Sequence, residues 1–308
     1  MFLNYLIKRL FSAVFVLLGI TTLVFLLIHL VPGDPIEVML GETARPADRE
    51  ALRHALGLDL PVLQQWWQYL TGIVQFDLGE SLHSKRAVSQ LLIERLPATA
   101  TLSIASIIIA IVIALPLGVL AAVYKDSIWD RLSMMSAMLG VSIPNFVMGP
   151  LLILIFALWL GWFPVSGKEG FASLVLPAVT LGTALAAILS RMVRASMLDV
   201  IEEDYIRAAR ARGVSEVRVL GIHALRNAAL PVITILGMQF GALLAGAVIT
   251  ETIFAWPGIG QLMIESIQKR DYPVVQACVL LISFTYVFVN LLTDLTYIAL
   301  DPRVKLDS

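Results

Sequence analysis

The chain has 308 residues, of which 58% are hydrophobic and 15% charged, with a mean hydropathy of +0.86 and a formal net charge of −1. Soluble domains carry about 45–50% apolar and about 25% charged residues, so this composition excludes a soluble globular protein, and nothing in the charge suggests nucleic acid as a partner. The one cysteine, Cys278, lies inside an apolar run, has no second thiol to pair with, and reads as a packed small hydrophobe.

Lys8 and Arg9 precede an apolar run from Leu10 to Val31. A secretory h-region is about 7–15 residues long and ends at a small-residue cleavage site. This run is longer and closes on Ile28-His29-Leu30-Val31-Pro32, so it reads as a retained first span. A span needs roughly 20 mostly apolar residues, and segments at about 10–31, 99–123, 134–160, 174–196, 231–253 and 276–299 qualify. Backbone groups in lipid must be satisfied within the segment, which predicts six transmembrane helices and an all-α integral membrane protein. Pro116, Pro144, Pro150 and Pro177 lie within or beside these spans, where a missing donor kinks a helix.

Lys and Arg in the short loops set the orientation. With the N-terminus in the cytoplasm, the inside holds Lys8, Arg9, Lys125, Arg131, Arg303, Lys305 and the group Arg191, Arg194, Arg207, Arg210, Arg212, Arg218 and Arg226. The short outside loops hold Lys168, Lys269 and Arg270. The chain then divides into 1–31, the N-terminal end and first helix; 32–97, an extracytoplasmic segment; and 98–308, a membrane core that carries a cytoplasmic segment at about 199–230. Pro32-Gly33-Asp34-Pro35 is expected to stop the first helix. Gln64-Gln65-Trp66-Trp67-Gln68-Tyr69-Leu70 suits either a helix lying at the membrane interface or part of a small packed cap.

No catalytic constellation is visible, and the histidines His29, His54, His83 and His223 are scattered. Gly161 to Lys168 mimics a phosphate loop, but Glu169 follows where a Ser or Thr is needed to meet magnesium, and the glycine spacing is wrong. The cytoplasmic segment is organised instead. Acids at Asp199 and Glu202-Glu203-Asp204 precede Tyr205-Ile206-Arg207-Ala208-Ala209-Arg210-Ala211-Arg212, acids favour a helix N-terminus, Gly213 suits the position after its end, and Ser215 suits the cap of a second short helix. Small residues at 208, 209 and 211 permit close approach by a partner, and arginine forks suit carboxylates. The rival reading is a basic loop held at anionic headgroups.

Three polar positions in the spans are candidate pore or gate residues: Glu251, Asn290 and Asp294. Asn290 and Asp294 share a helix face. Either Asp294 lines the inner end of a pathway or it pairs with Arg191 or Arg194 near the inner helix ends. Glu251 is either an outer gate or an interfacial acid satisfied locally. Gly237, Gly241 and Ala245 form a small-residue stripe that suits close helix packing.

Arg207-Ala208-Ala209, Gly213, Ile222 and Leu230-Pro231 resemble the EAA motif of permease subunits of ATP-binding-cassette (ABC) importers, with Arg207 at the usual Glu position. That departure resembles the dipeptide, oligopeptide, glutathione and nickel branch, as do Val31-Pro32-Gly33-Asp34-Pro35, Leu56-Gly57-Leu58-Asp59, Phe76-Asp77-Leu78-Gly79, His223-Ala224-Leu225-Arg226-Asn227, Trp256-Pro257-Gly258-Ile259-Gly260 and Arg270 to Gln276. The resemblance is to the B-type permease and implies the type I importer fold, with no covalent chemistry and no cofactor on this chain. ATP and Mg would belong to two cytoplasmic ATPase subunits, and a second permease and an extracytoplasmic substrate-binding protein would complete the assembly in a bacterial inner membrane. It also implies an ATPase-coupling role for Asp204, Tyr205, Arg207, Ala208, Ala209, Arg212, Gly213, Leu220 and His223. Short peptides are the expected cargo, with glutathione or nickel as alternatives. A self-sufficient secondary carrier or channel remains the reading from a different class; it predicts intramembrane ion sites and internal repeats, and neither is visible in the sequence.

Overall fold

A computed structural model describes residues 2–30, 35–40, 45–55 and 57–300. The expected helix stop at residues 31–34, together with Leu56, Arg303 and Lys305, lies outside the described residues. Among those described the structure is helical, without a strand beyond the single bridge between Glu80 and Ala87.

The helices run in order as α1 (Phe2–Leu30), α2 (Pro35–Leu40), α3 (Pro46–Ala55), α4 (Val62–Val74), α5 (Val88–Val123), α6 (Ile128–Ser142), α7 (Asn145–Leu152), α8 (Ala172–Ile201), α9 (Asp204–Ala211), α10 (Glu216–Arg218), α11 (Leu225–Ile253), α12 (Ile259–Gln268) and α13 (Tyr272–Leu300). Two wider π-helical stretches, Ile153–Trp159 after α7 and Val219–Ala224 between α10 and α11, keep the chain helical at those joints. Among the described residues four helices are long and apolar enough to cross a bilayer alone, and the number of spans rises to six when each of two bent helix pairs is counted as one.

The third span is the one that departs from the sequence reading. In place of one helix over 134–160, α6 and α7 meet at 102°. The cause is local: Ile143 precedes a proline, which drives it out of the helical region (φ −95°, ψ 112°), and Pro144 then stands ahead of the first turn of α7. Pro177 sits inside α8 without breaking it, so proline position alone does not set the outcome.

The chain forms two units, residues 1–98 with 258–287 and residues 99–257 with 288–308. In the first, α4 lies on α1: Trp66 Nε1 donates to Thr22 Oγ1 at 3.1 Å, and buried Gln65 meets His29 Nε2 at 3.1 Å. Trp67, one residue on, faces outward. The tryptophan pair therefore divides its work, one ring docked and one exposed. Val88, Leu92, Ile259, Leu262, Val274, Ala277 and Cys278 form the apolar core of this unit, which places the cysteine where its apolar neighbours suggested. Asp271 is buried and accepts from Ser81 Oγ at 2.6 Å and from the Leu82 amide at 3.2 Å, which fastens the loop after α4 to the start of α13.

In the second unit α8 is the central element, packed by α6, α7 and α11 around Leu185, Leu189, Val193 and Met197. Gly237 on α11 faces Thr293 on α13 so closely that an added Cβ would overlap the threonine side chain. The small-residue stripe thus serves packing within the chain at this position; the side chain of Ala245 lies outside what the structure describes. On helix propensity alone Gly237→Ala would stabilise by about 1 kcal/mol. The overlap reverses that sign, and the thermal midpoint of the purified protein is expected to fall by the equivalent of about 1–3 kcal/mol. An unchanged or higher midpoint would refute the close approach.

Candidate functional site

The polar segment that follows α8 folds as a compact elbow. Glu203 occupies the N-cap position of α9 in an extended conformation without a side-chain capping bond, and Asp204 opens the first turn, where the partial positive charge of the helix start favours an acid. Asp204 pairs with Arg207 at 3.0 Å in full exposure, a contact of little energetic weight. Ile206 and Ala209, three apart on one face, are buried in the same apolar cluster as Met197, Val219 and Ala224. That anchors α9 to the end of α8 and to the stretch leading into α11.

The opposite face carries Tyr205, Arg207, Ala208 and Arg212 outward. Among the small residues read as a docking surface, Ala209 turns inward, and its size lets α9 sit against its own protein. Gly213 follows the helix at φ +76°, with its amide bonded to Arg210 O at 2.9 Å and the Val214 amide bonded to Ala209 O at 3.3 Å. This is the left-handed helix stop that its place in the sequence predicts. Ser215 occupies the N-cap position of α10 as expected, but its side chain makes no capping bond; Arg210 instead clamps the turn through Glu216 at 2.8 Å.

Leu220 and His223 lie half-buried on the π-helical stretch, and Leu220 packs on the apolar cluster. Asn227 Nδ2 donates to the Tyr205 hydroxyl at 2.6 Å, which ties the start of α11 to α9. The exposed side chains of this elbow include Val217 and Ile222 as well as Arg207, Arg212 and Arg218. Exposed apolar residues among cations make a surface suited to a protein partner with an apolar groove and acidic rim.

The candidate gate residues are not brought together with the elbow. Glu251 is fully buried near the end of α11 and accepts from Thr99 Oγ1 on α5 at 2.6 Å. Asn290 and Asp294 are half-buried on α13. Arg194 does not pair with Asp294. Its Nε and Nη2 each lie 2.7 Å from the two carboxylate oxygens of Asp130, a buried acid in the first turn of α6. Asp130 had no place in the sequence reading, although Ser127 three residues ahead of it is a capping signal. The false phosphate loop also has a structural role: the Gly167 amide donates to Phe254 O at 2.9 Å, and Lys168 Nζ lies 5.7 Å from the centre of the Trp256 ring.

Residues 114–306 match the family described as binding-protein-dependent transport system inner membrane component, and residues 2–105 match the N-terminal region of such components. The chain belongs to this family. It is thus a multi-pass membrane permease subunit of an ABC importer. It is 44% identical over 303 residues to the glutathione transport system permease protein GsiC of Escherichia coli K12, covering 98% of this chain and 99% of that one. The corresponding protein of Pectobacterium atrosepticum is 45% identical over the same coverage. Among solved structures, the inward-facing MetNI methionine ABC transporter aligns with a TM-score of 0.58 at 20% identity, covering 69% of this chain and 97% of its own, which supports the fold alone.

Proposed function

We propose that this chain is the permease through which an ATP-driven importer carries short peptides, the tripeptide glutathione among them, toward the cytoplasm. The observation that carries the cargo reading is the full-length likeness, at 44–45% identity, to permeases named for glutathione transport. The elbow at 204–224 supports the mechanical part. It has a buried hinge face, an outward basic and apolar face, and a covalent path straight into the spanning helices α8 and α11. In this reading a cytoplasmic ATPase holds Tyr205, Arg207, Ala208, Arg212 and the exposed flank of Leu220 and His223. Nucleotide-driven movement of the ATPase then tilts α8 and α11, while the N- and C-termini stay on the cytoplasmic side. A second permease completes the pathway, and an extracytoplasmic binding protein delivers the peptide.

Uptake into proteoliposomes of the full assembly tests the cargo. ATP-dependent accumulation of labelled glutathione or a dipeptide, with no nickel accumulation, is the expected result. Accumulation of nickel alone, or uptake without ATP or ATPase subunits, would overturn it.

A further inference from the structure

The first unit holds a cavity of about 550 Å³ between α1, α4, the loop after α4 and the start of α13. That is within the roughly 300–1,000 Å³ of small-molecule sites. Its wall combines Gln65, Tyr69 and Gln276 with Asp77, Glu80 and Lys85. Gln65 is 8% exposed, and its amide is fixed at both ends, Nε2 donating to Leu60 O at 2.7 Å and Oε1 meeting His29. Gln276 is fixed likewise, its Nε2 donating to Val24 O at 2.9 Å, which leaves its carbonyl as an acceptor. Tyr69 stands one turn from Gln65 on the same face of α4, and among the described residues its hydroxyl is enclosed without a hydrogen-bond partner. Burial holds this phenol above its ordinary pKa, so it is a neutral donor. A buried hydroxyl left unbonded in a polar-walled cavity needs an explanation.

We propose that this cavity is a binding site for a small zwitterionic peptide on the first unit of the permease, resting on the peptide-import reading above. Asp77 and Glu80 match an ammonium, Lys85 matches a carboxylate, and the Tyr69 hydroxyl and Gln276 carbonyl match the amide groups between. A bare cation would meet Lys85, and a bare anion would meet two carboxylates. A molecule with both charges separated by amides suits all five groups. The apolar floor of Phe25, Ile28 and Ala277 leaves room for short side chains. The site would hold cargo on the permease itself before it enters the spans.

The test uses the complete assembly in nanodiscs, without binding protein or nucleotide, titrated with labelled glutathione and with trialanine. Saturable binding is expected, weakened about tenfold or more by Tyr69→Phe, which removes one hydrogen bond, and by Lys85→Gln at the exposed rim. Glycerophosphoethanolamine, the zwitterionic headgroup of a common lipid, is expected not to compete. Absence of saturable binding, equal affinity in the parent and both variants, or displacement by the headgroup would each overturn the site. Uptake by the same assembly separates the two readings: peptide import with a flat titration sinks the site alone, whereas failure of all peptide import sinks the function on which it rests.

Discussion

Replacing Asp130 by Asn is expected to lower the thermal midpoint of the purified permease by roughly 5–10 °C. Asp130 does two things at once. Its carboxylate takes both nitrogens of the Arg194 fork, and it also accepts from the Asp126 amide at 3.0 Å, while Ser127 Oγ accepts from the Asp130 amide at 3.4 Å. One side chain therefore fixes the α5–α6 turn, whose Asp126 sits at φ +62°, and binds α6 to α8. The Asp130 side chain is 7% exposed and that of Arg194 26%, so water does little to replace the lost partner. Breaking a buried pair from one side typically costs about 3–5 kcal/mol, and the partial exposure of Arg194 places this case near 3.

Arg194→Ala is expected to cost at least as much, because it leaves the more deeply buried Asp130 carboxylate without its counter-charge. The exchange Asp130→Arg with Arg194→Asp is expected to regain only part of the loss: a cation in the first turn of α6 opposes the helix dipole and cannot accept from Asp126. Size-exclusion survival after heating measures all three. An Asn variant with the parent's midpoint would show that the pair adds nothing.

What the sequence made legible follows from how far each signal reaches. The spans were readable because lipid forces every backbone group to be satisfied within its own segment, so apolar length alone marks them. The stop at Gly213 was readable because the glycine preference of a left-handed position is a one-residue effect. The break at Ile143 was not. Pro144 and Pro177 look alike in sequence, yet one divides a span and the other lies inside an unbroken helix, since the outcome depends on what packs around each. Partner choice was also hidden. The sequence offered Arg194 an acid in Asp294, and it uses Asp130 instead, 64 residues upstream, a contact that no local pattern encodes. The same holds for the cavity of the first unit. Gln65 and Tyr69 were visible as neighbours of a tryptophan pair, but only the docking of α4 on α1 turns them toward Asp77 and Gln276.

Gly213→Val is expected to cut ATP-driven uptake by about tenfold or more while the protein remains in the membrane and the partner ATPases continue to hydrolyse ATP. The argument separates backbone from packing. Nothing lies within 4 Å of the position a Cβ would take, so the extra carbons meet open space. The strain comes from φ +76°, a region that costs an ordinary residue about 1–2 kcal/mol and a β-branched one more. The chain relieves that strain by giving up the two bonds that close α9, from the Gly213 and Val214 amides to Arg210 and Ala209. Ile206 and Ala209 remain in the apolar cluster, so α9 keeps its seat, but the turn to Glu216 and the π-helical stretch loses its fixed angle. In the proposed coupling role, a loose corner would receive the push of the ATPase and fail to pass it to α11. Gly213→Asn is the control: asparagine tolerates the left-handed region, so uptake should stay within about twofold of the parent. If the valine variant imports at the parent rate, the angle of this corner is not what links hydrolysis to transport; if valine and asparagine fail equally, the glycine is needed for close contact with a partner rather than for its backbone.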